Sequence, residues 1–369
     1  MIVGVCKETV AGERRVALVP ELVGKLAKAG LDVRVQPGAG MAAGFADAGY
    51  QNTGAALEAN ALAQADVLLK VQPPTPEEIA GLKEGATLIG FLQPYTNRSA
   101  IQVLAARRVT SFAMELMPRI TRAQAMDALS AMSTIAGYKA VLLAASRLPK
   151  FFPLLMTAAG TVTPAPVLIL GAGVAGLQAV GTAKRLGAVV EAYDTRPVVK
   201  EQVESLGGKF VELGLETKDA EAKTGYAKAQ SEEFYQKQRA MLSQYVAAAD
   251  VVIPTALVPG QRAPILITAE MVQAMRPGSV IVDLAAEQGG NCALTEPGQD
   301  KFQDGVLIMG PLNIASSMPF HASQMYSRTV VNFLLHLVRE GKLQLDLNDE
   351  LSRGPLVTHE GKVVHPAAQ

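Results

Sequence analysis

The run Val167-Leu168-Ile169-Leu170-Gly171-Ala172-Gly173-Val174-Ala175-Gly176-Leu177 constrains the fold of this chain more than any other. Its apolar start reads as a buried strand, and G-x-G-x-x-G then opens a helix. Gly171 allows a tight turn, Gly173 lets the backbone approach a pyrophosphate, and Gly176 lets the helix lie close to the strand. The phosphates would meet the free N–H groups and positive dipole end of that helix. The next apolar run, Val189 to Tyr193, ends at Asp194, 23 residues after Gly171. A carboxylate there is placed to hydrogen-bond the adenosine ribose hydroxyls. Asp194 would repel a 2′-phosphate and so favours NAD(H), while Arg196, two residues on, weakens that preference.

The surrounding sequence repeats the same alternation. From residue 1 to about 115, runs at 2–6, 33–35, 67–71, 87–92 and 109–114 read as strands. Helical spacing lies between them at 20–29, 76–83 and 98–107, with Pro20 and Pro76 suited to a first turn. A long helix is expected over 122–147, spanning ~35–40 Å, and 149–166, with four prolines, reads as a connection. Six strands follow, at 167–170, 189–193, 209–211, 251–254, 280–284 and 306–308, and then a helix at 323–340. The expected fold class is therefore α/β, with two Rossmann-like doubly wound parallel-sheet domains linked by long helices. The expected domains are residues 1–130 plus 325–369, discontinuous, and the nucleotide-binding residues 131–324.

Composition excludes several functions. Lys+Arg and Asp+Glu both number 34, and this zero net charge argues against an electrostatic grip on nucleic acid. Two cysteines are too few for a disulfide framework or a structural zinc site, and no metal site is expected. The longest apolar candidate, around 165–177, carries three glycines and a proline, so no membrane span is expected. Residues 1–8 lack a basic segment followed by an apolar block, so no secretory signal is expected. All four histidines (His321, His336, His359 and His365) follow residue 320. A histidine base would have to come from the last part of the chain.

Two further segments stand out. In Arg119-Ile120-Thr121-Arg122-Ala123-Gln124-Ala125-Met126-Asp127-Ala128-Leu129-Ser130, the spacing puts Gln124, Asp127 and Ser130 on one helix face. Thr121 and Gln124 also fit a T-x-x-Q capping box, with Asp127 favourably near the helix start. That polar face begins where the two expected domains meet, a usual place for a cofactor cleft. Residues 214–238 hold nine Lys, Asp or Glu, and read as a lid, a binding element or a solvated insertion. Gly225-Tyr226 near the middle combines a flexible point with an amphipathic ring.

Together these segments resemble the NAD(H)-binding component, domain I, of proton-translocating nicotinamide nucleotide transhydrogenase. The resemblance covers essentially the whole chain. It includes Lys7-Glu8, the run from Arg14-Arg15 to Pro20, and the run from Val282-Asp283 to Gly290-Asn291. Alanine dehydrogenase shares this architecture, and an alanine dehydrogenase-like amino acid dehydrogenase is the alternative. The resemblance implies that Arg119, Gln124, Asp127 and Ser130 surround the nicotinamide, with Ile120, Thr121, Arg122, Ala125 and Met126 beside them. It implies that Ala172, Gly173, Val174, Asp194, Thr195 and Arg196 hold the pyrophosphate and adenosine, with Gly171 and Gly176 part of the same cofactor-binding turn. Gly225 and Tyr226 match a mobile loop that closes over the nucleotide, and Gln238 and Leu257 line the same cleft.

Hydride transfer between two nicotinamides moves no proton at the reacting carbons, whereas an amino acid dehydrogenase needs a positioned acid or base. Alanine dehydrogenases carry a histidine where this chain reads Gly90-Phe91-Leu92-Gln93-Pro94, and Gln93 cannot shuttle protons. Arg15 and Lys70 match alanine dehydrogenase substrate contacts and are read here as ion-pairing scaffold. The resemblance further implies a homodimer and an NADP(H)-binding partner, domain III on the beta subunit. It implies a separate membrane domain, and a cytoplasmic location on the inner face of the cell membrane.

Overall fold

The computed structural model describes residues 1–215, 231–258 and 260–369. It divides into two units, Met1–Met132 with Ala315–Gln369, and Ser133–Ile314. Each is built on a parallel-dominated sheet, so the fold is α/β and Rossmann-like in both units.

Among the described residues the first unit carries an eight-stranded sheet. Its order is Lys362–Val363, Leu356–His359, Thr110–Ala113, Thr87–Gly90, Val67–Leu69, Ile2–Val5, Asp32–Val35, Ala56–Leu57. The six N-terminal strands are parallel, and the C-terminal pair is added antiparallel on Thr110–Ala113. The strand order reverses between Ile2–Val5 and Val67–Leu69. At such a reversal the loops leave to opposite faces and open a crevice at the carboxyl ends.

Among the described residues the second unit carries a seven-stranded sheet in the order Lys209–Phe210, Val189–Tyr193, Pro166–Leu170, Val251–Pro254, Val280–Val282, Val306–Met309, Asp300–Gln303. Only Asp300–Gln303 runs antiparallel. Successive side chains point to opposite faces, so a strand covered on both sides must be apolar throughout. Val167, Ile169, Val251 and Ile253 pack into one layer with the end of the long helix and the helix Val174–Arg185. Leu168, Leu170, Val252 and Ile281 pack into the other with the helix Glu232–Ala248.

Several expectations are corrected. Residues 121–126 form a 3-10 helix, Asp127 breaks it at ψ 86, and the α-helix runs only over Ala128–Arg147. At 1.5 Å per residue it spans about 30 Å. That helix is also long and apolar enough, by composition, to cross a membrane, although its sequence is not an unbroken apolar run. Its Ala140, Val141 and Ala144 belong to the second unit's core. The connection at 149–166 contains a two-stranded hairpin, Leu155–Thr157 with Gly160–Val162. The polar segment ends earlier than expected, because Ser231 accepts from the Phe234 N–H and caps a helix starting at Glu232.

Candidate functional site

The glycine turn lies at the carboxyl end of Pro166–Leu170, next to the second unit's strand reversal. Gly171 sits at φ 103, and a Cβ on Gly176 would lie 1.8 Å from the Gly171 carbonyl oxygen, so neither position accepts a side chain. Gly173 differs: the nearest atom to a Cβ there is an Arg196 guanidinium nitrogen, 3.9 Å away. Glycine at 173 leaves space where the helix of Val174 presents its unpaired N–H groups, which is the cradle a pyrophosphate needs.

Asp194 closes this turn from the neighbouring strand. Its Oδ2 accepts the Ala172 N–H at 2.7 Å and Arg196 Nη2 at 2.9 Å. Its Oδ1 accepts the Arg196 N–H at 2.8 Å and Nε at 3.0 Å. A carboxylate has about four lone-pair sites, and all are used. Ribose hydroxyls can bond Asp194 only if Arg196 yields one, which the motif alone does not reveal. Thr195 lies between them, partly buried, and Val174 is exposed on the first helical turn.

Gln238 is buried on the helix Glu232–Ala248 and donates from Nε2 to Tyr193 Oη at 2.9 Å, and among the described residues its Oε1 has no partner. Leu257 follows Val251–Pro254 and is partly buried. Gly225 and Tyr226 lie outside the described residues. A depression of about 340 Å³ lined by Lys150, Phe151, Asp250 and Arg276 sits at the amino-terminal strand edge and contains none of the fingerprint.

In the first unit a pocket of about 340 Å³ gathers Arg119, Ile120, Thr121, Gln124, Asp127 and Ser130, with Pro118 and Ala123. The expected capping box is absent: Ile120 precedes the 3-10 turn, and no side chain caps it. Asp127 caps the following helix instead. Its Oδ1 accepts the Ser130 N–H at 2.8 Å, and its Oδ2 accepts the Ser130 hydroxyl at 2.5 Å. Gln124 is exposed. Arg122 is paired with Asp349 at 3.0 Å, outside the pocket lining, and the Ala125 carbonyl accepts from Asn332. Met126 is partly buried and does not line the pocket.

The first unit's own strand reversal holds a buried charge cluster. Lys70 lies 2.7 Å from Glu78 and 3.2 Å from Glu8, and Arg15 makes two bonds to Glu13 at 2.8 and 2.6 Å. Burial pushes the Glu13 carboxyl up, but the Arg15 guanidinium outweighs it and holds it down at about 2. Burial pushes Lys70 down, and Glu8 and Glu78 more than reverse this. Glu115 is a group the sequence did not single out. Its Oε1 accepts the N–H groups of Leu92 and Gln93 at 2.9 and 2.6 Å, its Oε2 is buried and has no partner among the described residues, and burial pushes it up to about 6. It thereby holds Gln93 at φ 53, a left-handed conformation uncommon for a non-glycine residue.

A fully apolar parallel strand, a glycine turn and an acid on the next strand define the second unit as a Rossmann-type nucleotide-binding domain of the nicotinamide-dependent oxidoreductase kind. The sequence matches the alanine dehydrogenase/PNT C-terminal domain over residues 140–366 and its N-terminal domain over 4–136. It is 49% identical to the first part of NAD(P) transhydrogenase subunit alpha of Rhodospirillum rubrum, over 100% of this chain and 98% of that one. A crystal structure of transhydrogenase from Sinorhizobium meliloti superposes with a TM-score of 0.89 at 46% identity, covering 99% of this chain and 100% of that one. A structure of L-alanine dehydrogenase gives 0.85 at 29% identity, covering 100% and 98%. The chain belongs to the alanine dehydrogenase/PNT family, on its transhydrogenase side, with alanine dehydrogenase the more distant relative.

Proposed function

We propose that this chain is the NAD(H)-binding subunit of a proton-translocating transhydrogenase. It would present NADH to NADP⁺ held by a partner domain, the beta-subunit domain III of the resemblance. In this reading the bound dinucleotide supplies the hydride, and the protein supplies placement. Gly171, Gly173 and Gly176 leave room for the pyrophosphate, and Asp194 and Arg196 select the ribose end. Arg119, Gln124, Asp127 and Ser130 hold the carboxamide and ribose of the nicotinamide end. Asp127 fixes the Ser130 hydroxyl as a donor to itself, so that Ser130 offers lone pairs to an amide N–H.

One observation carries the reading: the pocket at 119–130 gathers the hydrogen-bonding side chains of Arg119, Thr121, Gln124, Asp127 and Ser130 and, among the described residues, no histidine. That suits a transfer needing alignment and water exclusion rather than a proton shuttle. Arg15 and Lys70 support it further, since two cations already face three buried carboxylates, Glu8, Glu13 and Glu78. A carboxylate substrate would find both cations engaged. A homodimer, docked by its partners to a membrane domain on the cytoplasmic face, completes the proposal.

The test mixes the protein with the NADP(H)-binding domain of a transhydrogenase and follows NADH-dependent reduction of an NADP⁺ analogue. Turnover should require both proteins. Robust alanine-dependent NADH formation by this chain alone would overturn the reading.

A further inference from the structure

At the carboxyl edge of the second sheet, Thr255 follows Val251–Pro254 and meets the glycine turn directly. Its N–H donates to the Leu170 carbonyl at 2.7 Å, and its hydroxyl donates to the Gly171 carbonyl at 3.0 Å. A Cβ on Gly171 would lie 2.6 Å from that hydroxyl, so the turn and Thr255 are fitted closely. Any shift of Thr255 must therefore move the turn.

What places Thr255 comes from far along the chain. Both main-chain groups of the next residue, Ala256, end on the side chain of Asn291: Oδ1 accepts the N–H at 2.9 Å, and Nδ2 donates to the C=O at 2.9 Å. The second Nδ2 hydrogen goes to the Pro264 carbonyl at 2.8 Å. Asn291 is fully buried. Its own N–H donates to Asp283 Oδ2 at 2.8 Å, and its C=O accepts from Leu266 and Ile267 at 2.8 and 3.0 Å. Asp283 follows Val280–Val282 and is itself held by Ala285, Cys292 and Thr295. The backbone groups of Ala256, Pro264, Leu266 and Ile267 need partners, and Asn291 acts on them like a neighbouring strand.

We propose that Asn291 is the positioning residue that fixes Ala256 through both of its main-chain groups, holds the adjoining Thr255 against the glycine turn, and so sets the room available to the pyrophosphate of NAD(H). The inference rests on the NAD(H) reading above. Replacing one partner of a buried hydrogen bond leaves the other unpaired, which moves Ala256 or strands its carbonyl. Asn291→Asp keeps the shape and the acceptor for Ala256 N–H, and replaces the two donated bonds with repulsion. Thr255→Val removes only the hydroxyl bond to Gly171.

The test titrates wild type, Asn291→Asp, Thr255→Val and the double variant with NADH, followed by fluorescence, and with adenosine, followed by NMR. Adenosine carries no phosphate and reports the ribose end alone. Asn291→Asp should weaken NADH about tenfold or more, the scale of one lost buried hydrogen bond, and adenosine less than about twofold. Thr255→Val should weaken NADH several-fold, and the double variant should be no weaker than Asn291→Asp alone. Equal losses for NADH and adenosine, or additive losses in the double variant, would overturn the assignment. Should Asn291→Asp fail to fold, unchanged NADH affinity in Thr255→Val overturns it instead. A wild type that binds adenosine but not NADH would sink the NAD(H) reading first, a different result from any of these.

Discussion

The Asp127 carboxylate grips Ser130 twice, through its backbone N–H at 2.8 Å and its hydroxyl at 2.5 Å, and so both starts a helix and orients a pocket hydroxyl. The two roles separate by substitution. Asp127→Ala should cost about 1 kcal/mol of stability through the lost cap, and Asp127→Asn only a few tenths, because Asn caps nearly as well. Asn cannot accept both bonds, so hydride transfer should fall at least about tenfold in both variants while NADH affinity changes less. Thermal unfolding and stopped-flow transfer to a partner domain check this. Equal losses in transfer and affinity would reduce Asp127 and Ser130 to binding groups.

Arg196 makes three bonds to Asp194, the carboxylate proposed to select against NADP(H). Arg196→Ala leaves Asp194 charged and uncompensated toward a 2′-phosphate, so the preference for NADH over NADPH should rise. Asp194→Asn should lower it and weaken NADH by about tenfold, the loss of one charge-assisted hydrogen bond. Parallel titrations with both dinucleotides read the ratio directly. A ratio unmoved by either change would remove these residues from cofactor selection.

Apart from the antiparallel Leu356–His359, the inner strands of both sheets were legible because strands covered on two faces are continuously apolar, as in Val167-Leu168-Ile169-Leu170 and Val251-Val252-Ile253. Edge elements were not: Asp300–Gln303 reads Asp-Lys-Phe-Gln, and its strand character comes only from pairing with Val306–Met309. The 119–130 segment was found by its polar spacing, but the spacing fits equally a helix through Asp127 and a helix begun by it. Only the backbone break decides between them. Contacts such as Asn291 to Ala256 and Lys70 to Glu8 join distant positions, and no local pattern announces them.

Lys70 is buried between Glu8 and Glu78. Removing it leaves two carboxylates facing each other without a cation, so Lys70→Met should destabilise the fold by roughly 3–5 kcal/mol. Urea denaturation measures this. NADH affinity of the folded variant should stay within about twofold, since the cluster has no part in the proposed nucleotide contacts. A large loss of affinity at unchanged stability would instead make Lys70 a ligand group.

Glu115 gives a pH signature of defined sign. Burial raises its folded pKa from 4.5 to about 6, against the lowering effect of the N–H groups of Leu92 and Gln93. Between those values the folded state holds a proton that the unfolded state has lost. The stability this group contributes is therefore complete below pH 4.5 and is lost as pH rises through 6. The shift corresponds to about 2 kcal/mol. Glu115→Gln keeps an acceptor for both N–H groups and removes the titration. Unfolding free energies of the two proteins across this range should show wild type losing about 2 kcal/mol relative to the variant on going to neutral pH. Glu13 works in the opposite direction, its low pKa draining stability only as pH falls toward 2, and it is common to both proteins, so it cancels. A flat difference would mean that Glu115 titrates as an ordinary carboxylate and that its buried oxygen is solvated.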